Sequence, residues 1–124
     1  MRTSLLLATL VGLAAFACAQ GKTYPLAGEK KQLVSLEKTY KSAKAKSRRK
    51  PTDTTLKAAY SSATSAYGFA VMSAQSIKVP RERYVKALRL FREALVANPK
   101  NEEAKKNKDL IEGIYKQMGK PIPD

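Results

Sequence analysis

The chain has no histidine and no tryptophan, and its single cysteine is Cys18. Without histidine, the Ser–His and Cys–His nucleophile pairs and the imidazole zinc sites are excluded. Without a second cysteine no disulfide can close within the chain, so stability rests on packing. Carboxylates are scarce, 10 Asp and Glu against 24 Lys and Arg in 124 residues, for a formal net charge of +14. Glu102, Glu103, Asp109 and Glu112 stand among Lys105, Lys106 and Lys108, a spacing suited to salt bridging and capping on one helix rather than to paired acid–base work. The six glycines, Gly12, Gly21, Gly28, Gly68, Gly113 and Gly119, are scattered and form no phosphate-cradling loop. These absences predict a non-enzyme with no cofactor and no metal site, acting by binding.

What is present begins with a leader. Arg2, an apolar run over 5–17 and small residues around Ala17-Cys18-Ala19 have the three-part build of a secretory signal of bacterial look. The run is shorter than the roughly twenty apolar residues of a spanning helix, and Gln20, Gly21 and Pro25 follow at once. Two cleavage chemistries fit. The small pair Ala17 and Ala19 suits an ordinary signal peptidase, which would leave Gln20 first and release the protein to the periplasm or the exterior. Alternatively, Ala15-Phe16-Ala17-Cys18 resembles a bacterial lipobox, and a lipid on Cys18 would anchor the protein in the envelope. Cleavage after 1–19 removes only one charge, Arg2, leaving 23 basic against 10 acidic residues, a formal +13. In an exported protein that charge meets anionic headgroups, wall polymers and acidic protein surfaces before it meets nucleic acid.

Downstream, residues 20–28 carry Gly21, Pro25 and Gly28 without periodicity and read as a flexible lead-in. Residues 29–50 read as a basic amphipathic helix with Leu33, Leu36, Tyr40 and Ala43 on one stripe. Its surface carries Lys38, Lys41, Lys44, Lys46, Arg48, Arg49 and Lys50, seven cations in thirteen positions. Pro51 ends it, and Thr52 or Asp53 can cap the next. The second helix is expected to bury Leu56, Ala59, Tyr60, Ala63, Ala66, Tyr67, Ala70 and Ala74, widened by Phe69 and Met72, with Gly68 marking a close approach between helices. The third starts at Pro80 with Tyr84, Ala87, Leu88, Phe91, Ala94 and Leu95 inward, and ends at Asn98-Pro99. The fourth is capped by Asn101 and presents Ala104, Leu110, Ile111, Ile114, Tyr115 and Met118 until Gly119. A short C-terminal tail, 120–124, follows. The class is all-α: antiparallel helix hairpins, about four helices after a signal peptide.

Ala87, Phe91, Ala94 and Pro99 stand at the relative places of the small, aromatic, small and proline residues in the second half of a tetratricopeptide repeat, which this stretch resembles. Tyr60 and Tyr67 take the aromatic places of its first half, with Ala63-Thr64 where the family has Leu-Gly. Tyr67 and Ala87 lie twenty residues apart, further than in the family's unit, so the repeat is a lengthened one, and the fourth helix resembles a capping helix. The resemblance spans about 56–118, places the helical domain at 51–119, and implies a scaffold that binds a protein or peptide, with no catalytic residues. The leading expectation is therefore an exported adaptor that docks a segment between its helices, the basic helix assisting. The alternative is a cationic envelope protein adhering to an anionic membrane or wall. Nucleic acid ranks below both, because few aromatics flank the charge, and one repeat-like unit offers a small surface that self-association would enlarge.

Overall fold

The computed structural model describes residues 26–124 as four helices joined by short links: α1 (Leu26–Arg49), α2 (Thr54–Ser73), α3 (Pro80–Ala97) and α4 (Glu102–Gln117). Among the described residues there is no strand, and the chain has the expected all-α helix-hairpin fold. The leader, its cleavage residues Ala17, Ala19 and Gln20, the lipidation candidate Cys18 and positions 20–25 of the lead-in lie outside the described residues.

The helix boundaries follow from local chemistry. After Pro51 the carboxylate of Asp53 accepts the Leu56 N–H at 3.0 Å and caps α2. Pro80 opens α3, where its missing N–H costs nothing. The Asn101 side chain accepts the Ala104 N–H at 3.0 Å and caps α4, with Glu102 and Glu103 in the first turn favoured by the helix dipole. At the other end of α4, Gly119 adopts a φ of 64°, and the N–H groups of Gly119 and Lys120 donate to the carbonyls of Lys116 and Tyr115, each at 3.0 Å. This is a Schellman closure, and it turns the chain back on itself.

Each helix packs against the next in sequence. The α2–α3 contact is the most extensive, α1 lies along α2, α4 lies along α3, and α2 touches α4 only lightly. Neighbours run antiparallel: Glu29, in the first turn of α1, accepts the backbone N–H groups of Gln75 and Ser76 just past α2, at 3.1 and 2.7 Å. Likewise Arg83, in the first turns of α3, donates to the Ala74 carbonyl at 3.0 Å. The core is built on α3, where Ala87, Leu88, Phe91 and Ala94 are fully buried, with Leu90 beside them, Tyr67 and Val71 from α2, and Ala104, Ile111 and Tyr115 from α4. Each large apolar side chain so buried contributes about 1.5–3 kcal/mol.

The sequence reading needs three corrections. First, α1 begins at Leu26, so 26–28 belong to the helix rather than to a flexible lead-in. The link from Glu29 to the end of α2 holds this first turn, and one glycine costs it only about 1 kcal/mol. Second, the face of α2 turned to the core matches the expected stripe only in part: Tyr67 and Ala74 are buried and Leu56, Tyr60, Ala63 and Ala70 partly so, but small polar residues take the places against α3. Ser61, Thr64, Ser65, Gly68 and Val71 are buried, together with Tyr67, whereas Ala59, Ala66 and Phe69 are exposed. The bulky face of α3 requires small residues opposite, and Ser61 and Thr64 fit because their hydroxyls bond to backbone. Ser61 Oγ donates to the Ala94 carbonyl at 2.7 Å and accepts from Asn101 Nδ2 at 2.9 Å, while Thr64 Oγ1 donates to the Tyr60 carbonyl at 2.7 Å. Third, Leu110 and Met118 of α4 are about half exposed, because α4 has a neighbour on one side only.

Gly68 is a point of close approach, as its place in the helical pattern suggests. A Cβ there would stand 3.0 Å from Phe91 Cε1 and 3.2 Å from Leu90 Cβ. The α2–α3 hairpin is therefore locked at its middle by a residue without a side chain.

Candidate functional site

The aromatic and charged residues singled out above fall into two places. At the first, α1, α2 and α3 meet over a polar clasp centred on Glu93. Tyr40 OH donates to its carboxylate at 2.9 and 3.0 Å, Tyr60 OH also donates to it, and Lys44 Nζ reaches it at 2.5 Å. Lys44 Nζ also donates to Tyr40 OH at 3.0 Å. The Tyr40 ring stacks on Tyr60 and Tyr67, with centroids 6.2 and 5.6 Å away. Burial alone would push the Glu93 carboxyl up, but hydrogen bonds from Lys44, Tyr60 and Tyr40 outweigh it and hold the group below its ordinary value. Lys44 is raised by the hydrogen bond it donates to Glu93 and then by the one it donates to Tyr40. Tyr60 is raised by burial and by Glu93. The donors converge on one carboxylate, so the clasp ties α1 to the α2–α3 hairpin.

The second place is the outer surface of α1 and α2. Of the seven basic residues, Lys44 is spent in the clasp and Lys41 pairs with Glu37 at 2.9 Å. Lys38, Lys46, Arg48, Arg49 and Lys50 are exposed and make no ion pair with the described residues. Lys38 and Lys46 stand two turns apart, about 12 Å along the axis, at the edge of an open cleft between α1 and α2. Its volume is about 390 Å³, and Thr39, Ser42 and the apolar Ala43, Leu56 and Ala59 line it with the two lysines. From Ala59 the exposed surface of α2 continues through Ser62 and Ala66 to Phe69, which is 49% exposed. No charged residue occurs over 58–77, so this stripe is an uncharged band on a strongly cationic protein. Side by side, band and cleft form a surface with an apolar middle and a cationic edge.

The repeat-motif residues sit in the frame. Tyr67, Ala87, Phe91 and Ala94 are buried in the α2–α3 contact, Tyr60 is half-buried in the clasp, and Pro99 is exposed in the link to α4. Sequence reasoning missed Glu93. Its signal was faint: it is the lone carboxylate in the core half of α3, 33 residues from Tyr60 and 49 from Lys44. Asn101 was expected as the cap of α4, but its bond to Ser61, which joins α2 to the α3–α4 link, was not legible, because Ser61 carries no apolar signal. Comparison with family models, with curated proteins and with solved structures returns no match to this chain.

Proposed function

We propose that this protein is a non-catalytic, exported adaptor of tetratricopeptide-like build, which docks an acidic, partly apolar protein segment on the α1–α2 face. One observation carries the reading: exposed Lys38 and Lys46 share a cleft with the apolar Ala43, Leu56 and Ala59, and Ala59 begins the uncharged stripe that ends at Phe69. Unpaired lysines complement a negative rim on the partner, and the apolar lining supplies contact that salt does not screen. The repeat-like reading draws support from the stepwise packing of consecutive helices and from the Ala87, Phe91, Ala94 stripe set against α2. Export draws on the leader.

A labelled amphipathic helical peptide with leucine on one face and glutamate on the flanks is a suitable probe. It should bind the unaltered chain, lose at least about tenfold in affinity with Lys38→Glu/Lys46→Glu, and keep part of its affinity in 0.5 M salt. Equal binding of the reversed-charge variant would sink the proposal.

A second reading is adhesion to an anionic envelope surface, with or without a lipid on Cys18. It is favoured by the exposed cluster of Lys46, Arg48, Arg49 and Lys50 at the end of α1, each residue worth about 1 kcal/mol near an anionic membrane. Among the described residues no helix is long and apolar enough to cross a membrane. Flotation with vesicles containing phosphatidylglycerol should then be strong at low salt and vanish at 0.5 M; no flotation at low salt would remove this reading.

A further inference from the structure

The residues after α4 stay on the fold. The Schellman turn at Gly119 sends segment 120–124 back along the groove between α3 and α4. There Arg92 Nη1 donates to the Pro123 carbonyl at 2.7 Å and Arg89 Nε to the main-chain oxygen of Asp124 at 3.3 Å. Ile122 packs against the core cluster. Arg92 also pairs with Glu112 at 3.4 Å, whose other oxygen receives Lys108 at 3.3 Å. The groove is wider than its occupant, for an open cleft of about 720 Å³ remains beside the segment, walled by Pro80, Tyr84, Ile114 and Met118.

These contacts define what the groove reads. Both arginines bond main-chain oxygens, so these contacts read the backbone rather than a particular side chain. Pro121 and Pro123 have no N–H to satisfy and a fixed φ, so an extended segment built with them loses little freedom on docking. The aliphatic side chain between the two prolines supplies the apolar contact.

We propose that the α3–α4 groove is a docking site for an extended partner segment that carries an aliphatic residue between two prolines, and that segment 120–124 occupies it in cis as a displaceable strap. The site is separate from the α1–α2 face and does not depend on it. A short tether presents the strap at an effective concentration on the order of millimolar, so a partner binds well only when the strap is weakened or outcompeted.

The probe is fluorescein-labelled Gly-Lys-Pro-Ile-Pro-Asp, followed by anisotropy against the full chain carrying Ile122→Ser. It should bind that variant at least about tenfold more tightly than the unaltered chain, since the native strap competes. Adding Arg92→Ala should abolish binding. A second measurement needs no substitution. The chain contains four isoleucines, Ile77, Ile111, Ile114 and Ile122. In methyl spectra of the unaltered chain, excess unlabelled peptide should move the Ile122 signal to its free-peptide position and leave Ile77 in place. No saturable binding to a helical Ile122→Ser chain, or binding indifferent to Arg92→Ala, overturns the proposal, as does an Ile122 signal that excess peptide leaves unmoved. An Ile122 signal that moves with protein concentration alone, with a dimer in sedimentation, makes a second copy's strap the occupant and overturns the partner assignment.

Discussion

Replacing Gly68 by alanine tests the lock between α2 and α3 by the sign of its effect. In a helix interior alanine is favoured over glycine by about 1 kcal/mol, so an unconstrained site gains stability on substitution. Gly113 is such a site, because a Cβ there meets nothing within 4 Å. At Gly68 the new methyl would lie 3.0 Å from Phe91 Cε1, 3.3 Å from Phe91 Cδ1 and 3.2 Å from Leu90 Cβ. The Phe91 ring is fully buried, and Leu90 Cβ is fixed to the α3 backbone, so relief requires the two helices to part by a few tenths of an ångström. Overpacking of this kind costs about 1–3 kcal/mol, which cancels or exceeds the propensity gain. Gly68→Ala is therefore expected to destabilise by about 1 kcal/mol, while Gly113→Ala stabilises by about 1 kcal/mol. Thermal unfolding followed by circular dichroism should separate the two variants by roughly 8–16 °C, at 4–8 °C per kcal/mol for a domain of this size. A Gly68→Ala chain as stable as Gly113→Ala would refute the close approach.

Three further outcomes follow from the same packing. Glu93→Gln should cost about 2 kcal/mol at pH 7, the range for hydrogen bonds to a charged group. Because the folded-state Glu93 carboxyl is held below its ordinary 4.5, the stability it contributes is present above that pH and is lost as pH falls through the folded value, so the two chains should converge in acid unfolding. Asn101→Ala removes both the cap on α4 and the bond to Ser61, and should cost more than Asp53→Ala, whose cap alone is worth about 1 kcal/mol in denaturant titration. Ser65→Ala should stabilise by about 1 kcal/mol in the same assay, because the buried Ser65 Oγ has no hydrogen-bond partner among the described residues.

Much of the frame was legible in the sequence, and the reasons differ by element. The Ala87, Leu88, Phe91, Ala94 stripe was plain because α3 is amphipathic, with large residues on one side and Arg81, Lys86 and Arg89 exposed on the other. Pro51, Asp53, Pro80, Asn101 and Gly119 mark helix ends by backbone chemistry that needs no tertiary context. The α2 face was only partly legible because periodicity counts apolar residues, whereas a helix held between two neighbours buries whatever is small. Ser61 and Thr64 are admitted to the core by bonds to Ala94 and Tyr60 that the sequence does not display. Tyr40, Tyr60 and Lys44 were visible as aromatics and charge, but their common partner Glu93 is distant in the chain and near only in the fold. The strap over 120–124 was hidden for a similar reason: prolines announce the end of a helix, not the groove into which the chain returns.

The central claim, that the α1–α2 face holds a protein segment, is tested most directly by photo-crosslinking from within it. Ala59 would be replaced by p-benzoylphenylalanine in cells making the full chain with its own leader, with Val96, 85% exposed on α3, as the control position. The account predicts a discrete protein adduct from position 59, none from position 96, and loss of the adduct with Lys38→Glu/Lys46→Glu. No adduct from position 59, or one equally strong from position 96, would contradict it.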